Sequence, residues 1–194
     1  MGAVVSLDGY IADDHDQVGP LFDWYGNGAV SWSFEGADDE FRTTQASADF
    51  MRQHYADVGV VVIGRRLFDL TNGWNGKPAA GEHVYVVTHE QPTDWEHADT
   101  APFTFVDGVE PAIRAAQEHA GDRIVDVGAG QIGGQALRLE LIDQVVVNLV
   151  PVVFGSGRPF FGTGPLDRPI LLDNPSQVVQ GDRVTHLVYD IARP

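Results

Sequence analysis

Val58-Gly59-Val60-Val61-Val62-Ile63 is an unbroken apolar run that ends at Gly64 and is followed at once by two arginines. A strand with one wet face alternates apolar and polar residues. A run without alternation needs cover on both faces. The segment therefore reads as a central strand of a sheet packed between helices, followed directly by a helix at 65–71.

Segments on either side repeat this rhythm. Residues 83–88, 103–106 and 124–127 read as strands, and 109–120 and 131–140 as helices. Phe41, Ala48, Met51, Tyr55 and Val58 recur at intervals of seven, three, four and three, which predicts a helix over 38–55. The chain opens on a short strand at 3–6, as a chain short of some N-terminal residues would. A turn at Asp8-Gly9 follows, with Asp8 expected to shape it by hydrogen bonds to backbone. Residues 12–36 carry Trp24 and Trp32 but little periodicity, as a functional cover does. After residue 140 the rhythm changes. Residues 144–154 read as one long strand or two, bent near Pro151. Residues 170–172, 176–179 and 184–191 read as strands without helices between them, with a hairpin turn at Gln180-Gly181-Asp182. The expectation is one domain over 1–194: an α/β fold on a mixed sheet, parallel at first and antiparallel at its C-terminal end.

Composition narrows the function classes. The 194 residues include no cysteine, so disulfides, thiolate zinc sites and cysteine nucleophiles are excluded. Asp and Glu number 28 against 12 Lys and Arg, a net charge of −16. Such a surface repels nucleic acids and anionic membranes. The apolar runs are too short to span a bilayer, which needs about 18 residues. The first ten residues lack the pattern of a secretory signal, so a cytoplasmic protein is expected. The seven histidines show no zinc-site spacing, and no metal is expected.

Two strand-to-helix junctions could carry chemistry. At the first, a buried strand ends on Gly64 and a helix begins with Arg65-Arg66. Free N–H groups at a helix start and adjacent guanidinium groups suit an anion. A tight turn followed by two solvated arginines is the alternative. At the second, Gly128-Ala129-Gly130-Gln131-Ile132-Gly133 matches G-x-G-x-x-G after a strand and before a helix. The Rossmann version fails, because no acidic residue ends the next strand and too little chain follows. A phosphate-binding turn or a turn that only packs a helix stays open. Thr88 and His89 end a third strand and could reach the same edge. Asp49, beside the apolar face of its helix, could handle a proton or be a solvated helix residue.

The ordered set Ser6-Leu7-Asp8-Gly9-Tyr10, Val62-Ile63-Gly64-Arg65-Arg66, Gly128-Ala129-Gly130-Gln131-Ile132, Leu141-Ile142-Asp143 and Phe154-Gly155-Ser156-Gly157 resembles the dihydrofolate-reductase-like family. Its reductase branch at the C-terminal end of the bifunctional riboflavin-biosynthesis deaminase-reductase is the most similar. The resemblance covers nearly the whole chain. It implies a three-layer α/β/α sandwich around a mixed, largely parallel sheet, with NADPH along the strand ends and a homodimeric assembly. It would set the cofactor phosphates against Gly64, Arg65 and Arg66 and against Gly128, Ala129, Gly130, Gln131 and Ile132. Thr88 and His89 would lie near the adenosine 2′-phosphate. Asp49, 15 residues before Gly64, stands where dihydrofolate reductases carry their pterin-binding acid. The implied activity is NADPH-dependent reduction of a small heterocycle or carbonyl, as in 5-amino-6-(5-phosphoribosylamino)uracil reductase. A folate-type pterin reductase and a non-catalytic NADPH-binding protein are the alternatives. The apolar run at 144–154 is longer than one helical layer easily covers, a second reason to expect a homodimer.

Overall fold

The computed structural model describes residues 1–34 and 40–192. Strand β1 (Gly2–Ser6) leads through a turn to the short β2 (Tyr10–Ala12). A 3-10 segment (Gly19–Gly26), β3 (Val30–Trp32) and β4 (Phe41–Thr43) precede helix α1 (Gln45–Ala56). Four strands and three helices follow: β5 (Val58–Gly64), α2 (Arg65–Asn75), β6 (His83–Val87), β7 (Phe103–Val106), α3 (Val109–Ala120), β8 (Ile124–Val127) and α4 (Gln131–Arg138). The chain closes with β9 (Gln144–Val150), β10 (Arg158–Pro159), β11 (Gln177–Gln180) and β12 (Thr185–Asp190).

One set of four strands, ordered β7-β6-β5-β8, is wholly parallel. The other is ordered β1-β9-β12-β11, with β1 parallel to β9 and β12 antiparallel to both its neighbours. A parallel bridge between Gly2 and Gly128 joins β1 to the end of β8. The sheet is thus continuous and mixed, with the antiparallel pairs at one end. Helices cover both faces. On one, Val60 and Val62 of β5 pack with Ala112, Ile113 and Ala116 of α3 and Leu137 of α4. On the other, Val61 and Ile63 meet Phe68 of α2, and Val4, Val146 and Val188 meet Ala48 and Met51 of α1. The run at 58–63 is buried at every position for this reason: alternate residues feed opposite layers.

The boundaries differ from the sequence expectation where local chemistry overrides periodicity. The helix expected over 38–55 starts at Gln45, because Thr44 caps it by accepting the Ser47 N–H at 3.2 Å. Phe41 lies in β4 instead, and Asp38 lies outside the described residues. The right-handed part of α2 does end at Thr71, as expected, and a left-handed turn at Asn72, Gly73, Trp74 and Asn75 continues the element. Helix α4 ends at Arg138, since Glu140 takes positive φ. Strand β9 stops at Val150, where Pro151 withdraws a ladder donor. Residues 170–172 form only a bridge from Leu172 to Ile191. Strand β9 lies between β1 and β12. Its apolar residues are covered within the chain and give no argument for a homodimer. Among the described residues, no helix is long and apolar enough to cross a membrane.

Candidate functional site

The parallel pairing of β5, β6, β7 and β8 brings their carboxyl ends to one edge, where sheets of this kind bind ligands. At the end of β5, Gly64 caps α2 in extended conformation, φ −84° and ψ 157°. A Cβ there would stand 2.8 Å from Ile132 Cγ1, so the glycine lets the first turn of α4 close on the start of α2.

The two arginines that follow diverge. Arg65 Nε donates to Asp69 Oδ1 at 2.7 Å, and its Nη1 donates to the Glu90 carbonyl at 2.7 Å. Arg66 turns the other way, and both its Nε (2.7 Å) and its Nη2 donate to the Asp16 carboxylate. At the end of β6, the Thr88 hydroxyl donates to the Glu90 carbonyl at 2.9 Å. The exposed His89 ring lies 2.6 Å from Asp107 Oδ1 through Nδ1. Arg65, Thr88, His89 and Ile132 line a cleft of about 550 Å³ with Val87, Glu90, Gly108, Val109 and Gln135. Ligand clefts commonly enclose about 300–1,000 Å³. Every candidate cation here already has a carboxylate partner, the local expression of a net charge of −16.

The glycine-rich junction is built differently. Gly128 N–H completes the β8 ladder by donating to the Val62 carbonyl at 2.9 Å. Gly130 takes φ +81°, a left-handed conformation that suits glycine, and its N–H donates to the Phe160 carbonyl at 2.7 Å. The Gln131 amide donates to the Thr163 hydroxyl at 2.6 Å. Cβ atoms at Gly133 and Gly134 would be driven into Met1 and into the Phe161 carbonyl. Half-buried Ala129 packs into the core under α3 and α4. Packing and backbone conformation account for three of the glycines, and Ile132 is the residue of this junction that reaches the cleft. A β-branched residue at Gly130 would strain the backbone, so its substitution cannot separate a phosphate role from a conformational one.

Asp49 is corrected by the structure. Its side chain is 62% exposed, accepts from Gln45 Nε2 at 2.7 Å and pairs with Arg52 at 3.7 Å. Ser47, Ala48, Phe50 and Met51 take the inward face of α1 and leave Asp49 facing solvent. It is a solvated helix residue held by its own helix and lies outside the cleft lining. Asp8 does bond to backbone, in its own turn and beyond it. It accepts the Phe154 and Gly155 N–H groups and so ties the end of β1 to the segment after β9, and these bonds with the Ser6 hydroxyl hold its carboxyl below the usual range.

Sequence reading missed two features. One is the pairing of Asp16 with Arg66 and Arg158, which no spacing signals. The other is a buried polar chain beneath α1. His186 Nδ1 lies 2.7 Å from Asn148 Oδ1, and its Nε2 lies 2.9 Å from Ser47 Oγ. All three residues are buried, and His186 stacks on Phe50 with centroids 4.4 Å apart. A neutral imidazole that donates from Nδ1 and accepts at Nε2 satisfies the chain. Burial accordingly pushes the His186 pKa down to about 4. Closed off from solvent, Ser47 is a packing group rather than a nucleophile. Among the described residues, no group of three or more His, Cys, Asp or Glu is placed to hold a metal ion.

Comparison with known proteins places this geometry. The family model for the RibD C-terminal domain matches residues 1–185. The Bacillus subtilis protein YwjB, itself uncharacterized, is 26% identical over 164 residues, which cover 81% of this chain and 78% of that protein. A Shewanella sp. PV-4 protein assigned to riboflavin biosynthesis superposes with a TM-score of 0.64 at 20% identity, covering 99% of this chain and 97% of that one. The diaminohydroxyphosphoribosylaminopyrimidine deaminase/5-amino-6-(5-phosphoribosylamino)uracil reductase of Thermotoga maritima superposes with a TM-score of 0.63 at 13% identity. That likeness covers 98% of this chain but 55% of the Thermotoga chain, so this chain spans about half of that protein.

Proposed function

Because the chain belongs to the RibD C-terminal domain family and has its dihydrofolate-reductase-like fold, we propose that it is an NADPH-dependent reductase of a small pyrimidine-type heterocycle. The observation that carries this reading is the cleft at the carboxyl edge of the parallel strands, where Arg65, Thr88, His89 and Ile132 converge from three separate elements.

The residues present fit a dinucleotide. Gly64, having no Cβ, lets Ile132 of α4 come against the start of α2 at the edge of the cleft. Val87 and Val109 give the cleft apolar walls. Arg65 and Thr88 would hold phosphate and ribose oxygens, and His89 would stand at the rim, near a 2′-phosphate. Ile132 would pack against the ligand at the first turn of α4. When bound, NADPH supplies a hydride to the substrate. The chain's part is to bind and orient the two partners and keep water from between them. Arg65 would exchange its bond to Asp69 for a ligand oxygen, and a preference for NADPH over NADH would come from the groups at the rim that face the 2′-phosphate, His89 among them.

The test is NADPH oxidation, followed by absorbance, with a ribosylaminopyrimidine and with dihydrofolate. Oxidation with the pyrimidine alone is the expected result. Oxidation with dihydrofolate alone would make this a pterin reductase. Binding of NADPH without turnover of any pyrimidine or pterin would overturn the enzymatic reading. The proposal includes a cytoplasmic homodimer, supported by the open edge strand β11, where Val178 is exposed. Light scattering that gives 21.1 kDa at every salt concentration would remove the dimer.

A further inference from the structure

Asp16 is placed like a bound anion. Its side chain is only 9% exposed, and its backbone takes φ +63°. Two guanidinium groups from different elements converge on it. Arg66, at the start of α2, donates from Nε to Oδ1 at 2.7 Å and from Nη2 to Oδ2. Arg158, in β10, donates from Nε to Oδ1 at 2.7 Å and from Nη2 to Oδ2 at 3.4 Å. The arginines themselves stay 64% and 43% exposed.

Two arginine forks aimed at one pair of oxygens fit a phosphate as well as a carboxylate. Asp16 is the carboxylate both arginines grip, while Asp13 also acts on Arg158 through its charge. The turn that presents Asp16 is held by bonds that do not involve its side chain. Asp13 Oδ1 accepts the N–H groups of His15 and Gln17, and Ser156 Oγ donates to Asp14 Oδ2. Asp16 could therefore leave while the turn keeps its own anchors. Arg66 follows Arg65, which lines the cleft, and the two leave the same helix start in opposite directions, Arg65 toward Glu90 and Arg66 toward Asp16.

We infer that Arg66 and Arg158 form a phosphate-binding site whose place Asp16 holds until a phosphate-bearing ligand displaces it. The inference deepens the reading of the cleft as a dinucleotide site and rests on it for the ligand's presence. The phosphate could belong to the dinucleotide's pyrophosphate or to a phosphate ester on the substrate. The chemistry at the two arginines is the same.

Calorimetric titration of inorganic pyrophosphate, ribose 5-phosphate and NADPH into the protein, Asp16→Asn and Asp16→Asn/Arg158→Gln tests it. Asp16→Asn keeps the shape and removes the competing charge. It should bind at least one phosphate probe about tenfold more tightly, equivalent to ~1.4 kcal/mol. Arg158→Gln in the same background should abolish the gain. A gain for pyrophosphate and NADPH assigns the site to the dinucleotide; a gain for ribose 5-phosphate alone assigns it to the substrate. Arg158→Gln in the unaltered chain is the second line of attack, should Asp16→Asn fold poorly. It should weaken the same probe about tenfold with no change in thermal midpoint. Unchanged affinity in folded Asp16→Asn or Arg158→Gln, or a gain that survives Arg158→Gln, overturns the site. Such a result leaves the reductase standing if NADPH is still oxidised. Tighter phosphate binding in a protein that oxidises no NADPH does the reverse.

Discussion

The two halves of the sheet handle polar groups in opposite ways. In the parallel half, β7-β6-β5-β8, the middle of β5 is apolar on both faces, and Arg65, Thr88 and His89 stand at the carboxyl edge. In the half containing β9 and β12, the polar chain Ser47–His186–Asn148 runs through the buried layer beneath α1. Both arrangements cluster polar side chains, but only the first leaves them a cleft. A polar group at a strand end can exchange its partner for a ligand or water. One in mid-core cannot, so there every bond must be made within the protein.

The comparison predicts that changes in packed, buried positions alter stability, whereas changes at the edge alter binding. The largest effect is expected from Gly134→Ala in α4, which covers the parallel half. Its Cβ would be driven into the backbone carbonyl of Phe161, and backbone cannot swing aside as a side chain can. Overpacking costs about 1–3 kcal/mol and sometimes more. Urea denaturation should show a loss at the upper end, and a loss below measurement error would mean that the 158–163 segment is not seated on α4.

Acid should act next, and on the other half. His186 has an ordinary pKa of 6.5 and a native value of about 4. Below pH 6.5 the unfolded chain therefore binds a proton that the native state refuses. Stability is intact above pH 6.5 and falls as pH drops from 6.5 to 4, by up to roughly 3 kcal/mol from this group. Thermal midpoints across that range should fall in the native protein and flatten at this step in His186→Phe. A His186→Phe profile parallel to the native one would assign the acid sensitivity elsewhere.

Asn148→Leu should cost about 1–3 kcal/mol, because it leaves the buried His186 N–H without an acceptor. Its NADPH affinity should not change. Weakened NADPH binding at undiminished stability would join the two halves functionally and break the comparison. The smallest effect on the fold belongs to Arg65→Gln. Its bonds to Asp69 and Glu90 lie at the surface, where ion pairs contribute about 0–1 kcal/mol. It should weaken NADPH about tenfold or more, the loss of one charge-assisted contact. Unchanged NADPH affinity in Arg65→Gln would remove Arg65 from the site.

What was legible in the sequence follows the same division. The 58–63 run announced a doubly covered strand, and the apolar spacing of 109–120 gave α3 its bounds, because burial writes itself into local pattern. The start of α1 was misplaced because Phe41 happens to continue a helical spacing from within β4, while the cap at Thr44 carries the boundary. That Arg65, Thr88, His89 and Ile132 share one edge could be read because strand ends and helix starts are local features. Asp49 was misjudged because spacing to Gly64 fixes distance along the chain but not the direction a side chain faces. Asp16–Arg158 and Ser47–His186 join residues more than a hundred positions apart. Neither partner carries any local mark of the other.

The position of β1 has a further consequence. The first strand of the chain sits between β8 and β9, paired to residues 146–150. During synthesis, β5 to β8 emerge as neighbours able to pair in order, while β1 must wait for β9 before either flank of its groove is complete. Contacts this distant in sequence form slowly, because the chain between them must first be closed into a loop. Pulse-labelled hydrogen exchange should protect β5 and β6 before β1; simultaneous protection would contradict this order. Strand β1, made before β5 to β9, is thus among the last to be secured, and the edges of β8 and β9 stay open to wrong partners until it is seated.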